Sequence, residues 1–388
     1  MEWVIGGGRV LLGGEPGRAD LALRGGLVAA SAGEDAARFD ADGLLVLPGL
    51  VDIHGDAHER QAQPRPGVGF PPVLAMRDTA AQLLASGVTT AYLGVTLSWE
   101  PGLRGIAAWR ETLAALDAVR ARAACDIRIH LRLEADNFDA FDEAAADMGA
   151  GRVHLLGFND HTPGILRKLS DPVQAGAYAK RAGMEVEAFA ALAGRIAARR
   201  GEVPAGRARM AAAARAAGIP MLSHDDASPD DRAAFRALGA TVCEFPMTEA
   251  AAESARVAGE HVVMGAPNVV RGGSHLGWAS AAPLAERGVV TVLASDYYWP
   301  AMMEAAFVMA ARGALSLGQA WALVSANPAR ALGLPDRGRL APGLRGDVVL
   351  ADPATRAPVA TFARGRLAGL ASDAAMRIPA GRRDAYAA

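Results

Sequence analysis

The sequence predicts an α/β fold in which a (β/α)8 TIM barrel carries a small composite β module from both termini. Two observations predict it: apolar strand candidates alternate with helical patterns through the middle of the chain, and short β segments with glycine turns lie at both ends. Eight such strand candidates favour closure into a barrel over an open sheet. They lie near residues 50–56, 88–93, 126–134, 153–160, 219–224, 241–246, 262–267 and 290–296.

Helical patterns and terminal β segments complete this prediction. The helical patterns cover Val73–Ala85, Gly105–Arg122, Met184–Arg199 and Ala205–Ala217. The terminal β segments are Arg9–Leu12, Leu21–Leu23, Leu27–Ala30, Leu44–Leu47, Val348–Leu350 and Pro358–Phe362. Because each end is too short to build its own core, the two ends are predicted to pair. The predicted domains are residues 1–48 and 336–388, which share the module, and residues 49–335, which form the barrel.

Composition and charge exclude several classes of protein. The 388 residues carry a formal net charge of −2 at pH 7, which gives no overall basic field for nucleic acid. No apolar stretch is long enough to cross a bilayer, and Met1–Gly8 lacks the features of a signal peptide. Cys125 and Cys243 are far apart and favour a reducing compartment. The chain is therefore predicted to be cytoplasmic, without nucleic-acid or membrane partners; a homo-oligomer is left open.

The first strand candidate ends in a pair of potential metal ligands. His54 and Asp56 are two residues apart, so the period of a strand puts both on one face at its carboxyl end. Barrel enzymes hold their catalytic groups at this end, and an imidazole and a carboxylate placed there can share one divalent cation. A strand-terminal turn capped by an aspartate is the alternative interpretation.

The third strand candidate, Asp126–Glu134, alternates polar and aliphatic side chains along its whole length. If the aliphatic face packs on helices, the polar face points into the barrel and Glu134 lies at its mouth, where a carboxylate can bridge two metals. His130 lies deeper and is interpreted as structural. The only lysines, Lys168 and Lys180, are not at strand ends, so a carboxylated lysine is not expected to take this role. An edge strand with a solvated face is the alternative.

Three further strand candidates deliver ligands at their ends: His161, His224 and Asp296. A buried carboxylate such as Asp296, following an apolar run, is costly unless it meets a cation or a proton donor. Imidazoles and carboxylates favour zinc, with manganese or iron as alternatives, and either one or two ions can be held. The predicted metal ligands are His54, Asp56, Glu134, His161, His224 and Asp296.

A glycine-rich loop, Met264–His275, follows the seventh strand candidate. Its glycine pair allows backbone N–H groups to converge on an anion, and Arg271 can bind a phosphate bidentately. The segment Pro64-Arg65-Pro66 offers a second guanidinium, and His58 follows the first ligand pair closely. No Walker motif is present. A glycine turn with an exposed arginine is the alternative interpretation of the loop.

Together these residues resemble the alpha-D-ribose 1-methylphosphonate 5-triphosphate diphosphatase family of the amidohydrolase superfamily, which belongs to the carbon-phosphorus lyase pathway. The most specific string is Gly-Ala-Pro-Asn-x-x-Arg-Gly-Gly-Ser-His, residues 265–275, whereas Asn327–Ala329 is general to the superfamily. The matching segments cover nearly the whole chain in order. They are Leu47–Asp56, Leu131–Glu134, Asp160–Gly164, Ser223–Asp226, Glu244–Pro246, Met264–His275 and Ser295–Tyr298.

The resemblance implies a metal-dependent hydrolase that acts on a phosphoric anhydride of a small phosphorylated substrate in phosphonate catabolism. A metal-bound hydroxide would attack the triphosphate chain and release diphosphate, leaving a 5-phosphate, with Asp296 as the catalytic proton acceptor. The residues implied to bind substrate are Asn268, Arg271, Gly272, Gly273, Ser274, His275, Arg132, Arg65 and His58.

One departure from the family pattern concerns the substrate. After the first ligand pair the family continues with an asparagine and an aliphatic residue, whereas this chain has Ala57–Arg60. An amidohydrolase paralogue that hydrolyses a C–N bond of a small cyclic amide, amidine or acylated amine is therefore the alternative function. A barrel kept only as an assembly scaffold would lack metal ligands, and here every candidate position is filled.

Overall fold

A computed structural model describes residues 2–65, 67–274 and 277–379, and its strands form three sheets. The strands of the two terminal sheets and of the barrel follow in chain order. They are β1 Trp3–Gly6, β2 Arg9–Val10, β3 Gly17–Arg18, β4 Leu21–Arg24, β5 Leu27–Ala29, β6 Ala37–Asp40, β7 Leu45–Pro48, β8 Leu50–Gly55, β9 Val88–Leu97, β10 Asp126–Glu134, β11 Leu155–Asn159, β12 Met221–His224, β13 Val242–Glu244, β14 His261–Gly265, β15 Val292–Ala294, β16 Val348–Ala351, β17 Pro358–Ala363 and β18 Arg366–Leu370.

The helices follow most barrel strands. They are α1 Glu59–Ala62, α2 Pro72–Ala85, α3 Ile106–Arg120, α4 Phe141–Gly149, α5 Thr162–Lys168, α6 Pro172–Ala182, α7 Val186–Ala198, α8 Val203–Ala216, α9 Pro229–Ala237, α10 Glu249–Val257, α11 Ala266–Val270, α12 Ala281–Glu286, α13 Ala301–Ala311, α14 Leu317–Ala322 and α15 Ala326–Ala331. No described helix is long and apolar enough to cross a membrane.

Strands β8 to β15 form the barrel. They lie side by side in chain order, and every ladder between them is parallel. The barrel closes where the end of β8 meets the end of β15: the backbone N–H of Asp56 donates to the Asp296 carbonyl and that of Asp296 donates to the His54 carbonyl, both at 2.9 Å. The eight predicted strands and the predicted barrel are therefore confirmed.

The two ends of the chain join in the remaining sheets. Strand β16 pairs antiparallel with β7, which places a C-terminal strand inside the six-stranded sheet β18-β17-β16-β7-β2-β3. The second sheet has the order β5-β4-β1-β6. Between them Trp3 and Phe39 meet the ring of Phe362 edge-on, at centroid distances of 5.2 and 6.0 Å. The composite β module is confirmed, whereas the predicted boundaries at residues 48 and 335 stay predictions.

Two segments differ from the sequence prediction. Strand β14 ends at Gly265, and helix α11 begins at Ala266, within a segment that was predicted as strand to residue 267. The reason is Pro267, which has no N–H for a ladder but suits the first turn of a helix. Between β11 and β12 the chain forms four helices, α5 to α8, and only the last two were predicted. These extra helices lie beside the barrel mouth.

Candidate metal centre

The structure brings five of the six predicted ligands into two compact groups at the carboxyl ends of the barrel strands. The first, called the His54 group, consists of His54, Asp56 and Asp296, and the second, called the His161 group, consists of His161, His224 and Asp225. Within each group one ligand atom of every residue lies within 4.8 Å of the others. Asp225 was not predicted as a ligand, although it directly follows His224 in the sequence.

Arg132 lies between these two groups. One terminal nitrogen of its guanidinium donates to Asp56 Oδ2 at 3.2 Å, and the other lies 3.2 Å from His224 Nε2. The side chain is only 8% exposed, so its charge acts in a poorly screened setting. Arg132 was predicted to bind substrate, and it is brought to the centre of the site.

Glu134, the sixth predicted ligand, contacts the His161 group. It accepts hydrogen bonds from the His161 backbone N–H, at 3.0 Å, and from the His161 ring Nδ1. Burial works to raise the pKa of Glu134, but the charge of His161 and these hydrogen bonds hold it well below its usual range. Glu134 is therefore an anionic partner of His161, and its predicted role as a bridge between two metals stays a prediction.

Glu244 is a functional candidate for which the sequence had suggested no role. It is fully buried at the end of β13, with Oε1 2.9 Å from His54 Nδ1 and Oε2 2.8 Å from His224 Nδ1. The contact with His224 is a hydrogen bond, whereas the contact with His54 is a close approach outside hydrogen-bond geometry. The two imidazole rings stack at 5.6 Å with an interplanar angle of 10°. A carboxylate on Nδ1 orients a histidine and leaves Nε2 available as a ligand. An ionisable residue at the end of the sixth barrel strand was the available signal.

The pKa values of two of the three imidazoles, His54 and His224, favour metal ligation, whereas at His161 burial is outweighed by the charge of Glu134, which raises the pKa. Burial, assisted by the nearby Arg132 charge, lowers the pKa of His54 to about 3, and burial also lowers the pKa of His224 to about 3. Both rings are therefore neutral near pH 7, which is the form that binds a metal.

Asp296 is a partly buried carboxylate whose charge is poorly compensated. Burial raises its pKa to about 7, and the charge of Asp56 adds to this effect. A group with a pKa near the working pH exchanges protons readily, which is the property required of a general base.

Backbone strain is concentrated at the same place. Five described non-glycine residues have a positive φ, and three of them follow the barrel strands β12, β13 and β15 at the mouth: Asp225 at 61°, Phe245 at 50° and Asp296 at 57°. This conformation is costly for such residues and tends to occur at functional sites. The strain supports a functional role for the mouth that is independent of the side-chain chemistry.

A buried aspartate joins the first and last barrel strands behind the ligands. Asp52 accepts hydrogen bonds from the Ser295 hydroxyl at 2.6 Å and from its backbone N–H at 3.0 Å. Burial raises the pKa of Asp52 to about 6. Between His54 and Asp56 only glycine fits, because a Cβ on Gly55 would lie 2.7 Å from Asp52 Oδ2 and 2.8 Å from Ser295 Oγ. This contact sets how closely the two ligand-bearing strands approach.

Two cavities meet at the ligands. The first, called the loop cavity, has a volume of about 250 Å³ and is lined by His54, Asp296 and the segment after β14. The second, called the helix cavity, has a volume of about 580 Å³ and is lined by His161 and by residues of α5 and α6. His224, Asp225 and Trp278 line both, so the cavities adjoin beside the ligands.

The predicted substrate-binding residues are distributed unevenly around these cavities. Arg271, Asn268, Gly273 and Ser274 line the loop cavity. Arg271 donates to the Tyr297 hydroxyl at 3.2 Å, while the Asn268 side chain accepts from the Ala281 N–H at 3.0 Å and thereby supports the loop. Gly272, next to Gly273, has a φ of 80° that a side chain would rarely adopt. His275 lies outside the described residues.

Two other predicted residues line neither cavity. Arg65 is exposed in a short turn that pairs with Val68. His58 precedes α1 and is 8% exposed, and its buried Nδ1 has no hydrogen-bond partner among the described residues. Its neighbour Glu59 accepts two hydrogen bonds from Arg104, at 3.1 and 3.0 Å. Proximity in sequence to the first ligand pair therefore did not place His58 on a cavity wall.

Known proteins with similar sequences identify the family. The sequence profile of the amidohydrolase family matches residues 202–368. The alpha-D-ribose 1-methylphosphonate 5-triphosphate diphosphatase of Escherichia coli (strain K12) is 35% identical over 326 residues, which are 81% of this chain and 84% of the relative. The chain belongs to this diphosphatase family of amidohydrolases. The resemblance predicted from the sequence is confirmed, and the chain is a hydrolase.

Solved structures of two other enzymes share the fold. A dihydropyrimidinase from Brevibacillus agri NCHU1002 aligns over 95% of both chains with a TM-score of 0.58 and 16% identity. A D-hydantoinase from Bacillus sp. AR9 aligns over 95% of both chains with a TM-score of 0.61 and 13% identity. At such low identity the likeness concerns the barrel and its module alone.

Membership of the amidohydrolase family implies a divalent metal ion, and the residues present fit one. The donor set consists of the neutral imidazoles of His54 and His224, which contact Glu244, and of His161 and the carboxylates at the barrel mouth. Nitrogen and oxygen donors of this kind suit a transition-metal ion, and the low exposure of His54 and His224 keeps bulk water from competing for those ligand positions.

Proposed function

We propose that this protein is a metal-dependent diphosphatase that hydrolyses alpha-D-ribose 1-methylphosphonate 5-triphosphate to the 5-phosphate and diphosphate. The observation that carries the proposal is that His54, Asp56, His161, His224 and Asp296 converge from four barrel strands beside two cavities, one of which contains Arg271. The likeness to the Escherichia coli diphosphatase supports the same substrate. We also propose that the enzyme acts in the cytoplasm, as its two buried free cysteines favour.

The proposed metal is zinc, with manganese or iron as alternatives, and one or two ions. The His54 group would hold one ion and the His161 group the other, with Glu134 as an additional carboxylate. When bound, such ions acidify a coordinated water and neutralise phosphoryl oxygens. Glu244 accepts a hydrogen bond from Nδ1 of His224, which leaves Nε2 of that ring as the ligand atom, and its other oxygen lies 2.9 Å from Nδ1 of His54.

The proposed reaction is attack of water on the α-phosphorus of the triphosphate. A new P–O bond forms to the water oxygen, the bond between the α-phosphorus and the bridging oxygen breaks, and that oxygen leaves with diphosphate. Asp296 accepts the proton of the water on a carboxylate oxygen, a role that its raised pKa favours. Arg132 and Arg271 neutralise the charge of the phosphoryl oxygens.

Phosphorus NMR on purified protein tests this proposal. Protein loaded with zinc should convert the ribosyl methylphosphonate triphosphate to equimolar 5-phosphate and diphosphate, and a chelator should stop the reaction until metal is resupplied. Absence of diphosphate, combined with hydrolysis of a cyclic amide or an acylated amine, would overturn the proposal in favour of the C–N hydrolase.

A further inference from the structure

The helix cavity and the loop cavity share His224 and Asp225 as lining residues. Since both cavities contact these residues, a substrate whose scissile bond lies at the ligands extends into both. Hydrolysis then leaves one product in each cavity. The lining residues of the two cavities indicate which product occupies each cavity.

The walls of the loop cavity suit the sugar-containing product. Phe245, Pro246 and Trp278 supply apolar and aromatic surface, and Asn268 and Arg271 supply polar groups. Arg271 is the one guanidinium on this wall besides Arg132, among the described residues. A ribose ring with a single phosphate and a phosphonate fits this mixture of surfaces.

The walls of the helix cavity carry more basic residues than those of the loop cavity, together with six carboxylates, and most of these carboxylates are paired with an arginine or a histidine. The six are Glu100, Glu134, Asp160, Asp225, Asp226 and Asp231. Five basic residues line it, and three of them are already paired: Arg104 with Glu59, Arg181 with Glu100, and Arg207 with Asp160. The remaining two, Arg167 and Lys168, lie at the carboxyl end of α5 and form no ion pair with a described residue. They are therefore available to an anionic ligand.

We propose that the helix cavity is the binding site of the leaving diphosphate, with Arg167 and Lys168 as its cationic side chains. This inference rests on the proposed function and adds the orientation of the substrate. The β- and γ-phosphates lie in the helix cavity, beside α5 and α6, and the ribosyl part lies in the loop cavity, beside Arg271. As the bond between the α-phosphorus and the bridging oxygen breaks, the electron pair remains on the diphosphate, where these two cations offset the new charge.

The helices that build this wall are an insertion in the barrel. Helices α5 and α6 belong to the four-helix connection between β11 and β12, whereas a barrel needs only one helix at this point. Arg167 and Lys168 are both exposed, so they bind through charge and not through a rigid pocket. Their contribution should therefore weaken as ionic strength rises.

A double variant with a matched control tests the site. In zinc-loaded protein, Arg167→Ala with Lys168→Ala should weaken diphosphate binding, measured by calorimetry, by about tenfold. The control is Lys180→Ala with Arg195→Ala, which removes the same two residue types from exposed positions that line neither cavity. The control should bind diphosphate as tightly as the unaltered protein.

Lysine modification gives a second measurement, because Lys168 and Lys180 are the only lysines of the chain. Diphosphate should slow acetylation of Lys168, followed by mass spectrometry, and leave the acetylation rate of Lys180 unchanged. Equal diphosphate affinity in the double variant, or equal acetylation of Lys168 with and without diphosphate, would overturn the proposal.

These outcomes are separate from a failure of the proposed function. Release of diphosphate from the triphosphate, together with unchanged diphosphate affinity in the double variant, rejects the site and leaves the function standing. Loss of stability in the double variant without loss of diphosphate affinity would show that Arg167 and Lys168 only offset the partial charge at the end of α5, and so would also reject the site.

Discussion

A partly buried carboxylate has a different environment at each end of the barrel. At the amino end, Asp126 accepts from Arg128, Arg337 and Arg345, at 3.1, 2.6 and 3.4 Å. Burial works to raise its pKa, but these cations hold it well below its usual range. At the mouth, Asp296 is also partly buried, yet its pKa is raised to about 7. Complete pairing is typical of a structural charge, whereas incomplete pairing leaves Asp296 free to exchange a proton.

The largest expected effect is that of Asp296→Asn. The amide cannot accept a proton from water, so kcat should fall by about 10²- to 10⁴-fold. Since asparagine has the same size, the free energy of unfolding should change little. Steady-state kinetics and denaturant unfolding check both statements. A near-normal kcat would show that Asp296 is not the proton acceptor. The different environments of Asp296 and Asp126 would then not reflect different roles.

The next effect is that of Glu244→Gln. The amide has only one oxygen, so it cannot place an anionic oxygen beside Nδ1 of both His54 and His224 as the carboxylate does. The apparent affinity for the metal should therefore fall by about 10- to 100-fold, with much of the activity restored at high metal concentration. Metal titration measures this shift. If activity stays low at saturating metal, Glu244 acts in another way than by positioning the imidazoles.

Arg271→Ala should have a smaller effect, because the side chain is exposed and bonded to Tyr297. The KM for a polyphosphorylated substrate should rise by about tenfold, while an uncharged substrate of a C–N hydrolase should tolerate the change. Arg366→Ala, at an exposed position on β18, serves as the matched control and should leave KM unchanged. Equal KM values for both variants would argue against phosphate binding by the loop.

The smallest effect on activity is expected for Asp126→Asn, although it should have the largest effect on stability. The change leaves Arg337 and Arg345 buried with a weakened partner, so the free energy of unfolding should fall by about 3 kcal/mol while kcat per folded molecule is retained. Thermal or denaturant unfolding measures the loss. If kcat fell although the variant was fully folded, the ion pairs at the amino end of the barrel would affect the active site at the mouth.

The loss of stability caused by Asp126→Asn should depend on pH. The pKa of Asp126 is lower in the folded state than in the unfolded state, so its contribution to stability is fully present above the unfolded value and is lost as the pH falls below about 4. The stability difference between the unaltered protein and Asp126→Asn should therefore shrink in acid. A difference that stays constant down to pH 3 would contradict this assignment.

Much of the fold and part of the candidate site followed from the sequence. The alternation in Asp126–Glu134 predicted a strand with one polar face, and Glu134 and Arg132 do lie at the mouth. Other assignments needed the structure. The sequence could not show that Arg65 lies away from both cavities, because the path of a loop depends on what it packs against. Nor could it show that Glu244 contacts two histidines.

The sequence by itself determined the barrel, the composite module and the strand ends that carry ionisable residues, because the periods of strands and helices are local properties of the chain. Only the tertiary structure decided which of those strand ends meet. The partners of Glu244 come from β8 and β12, and the helix cavity comes from helices inserted after β11. Such contacts depend on how the barrel closes and on the relative heights of its strands, which no local pattern encodes.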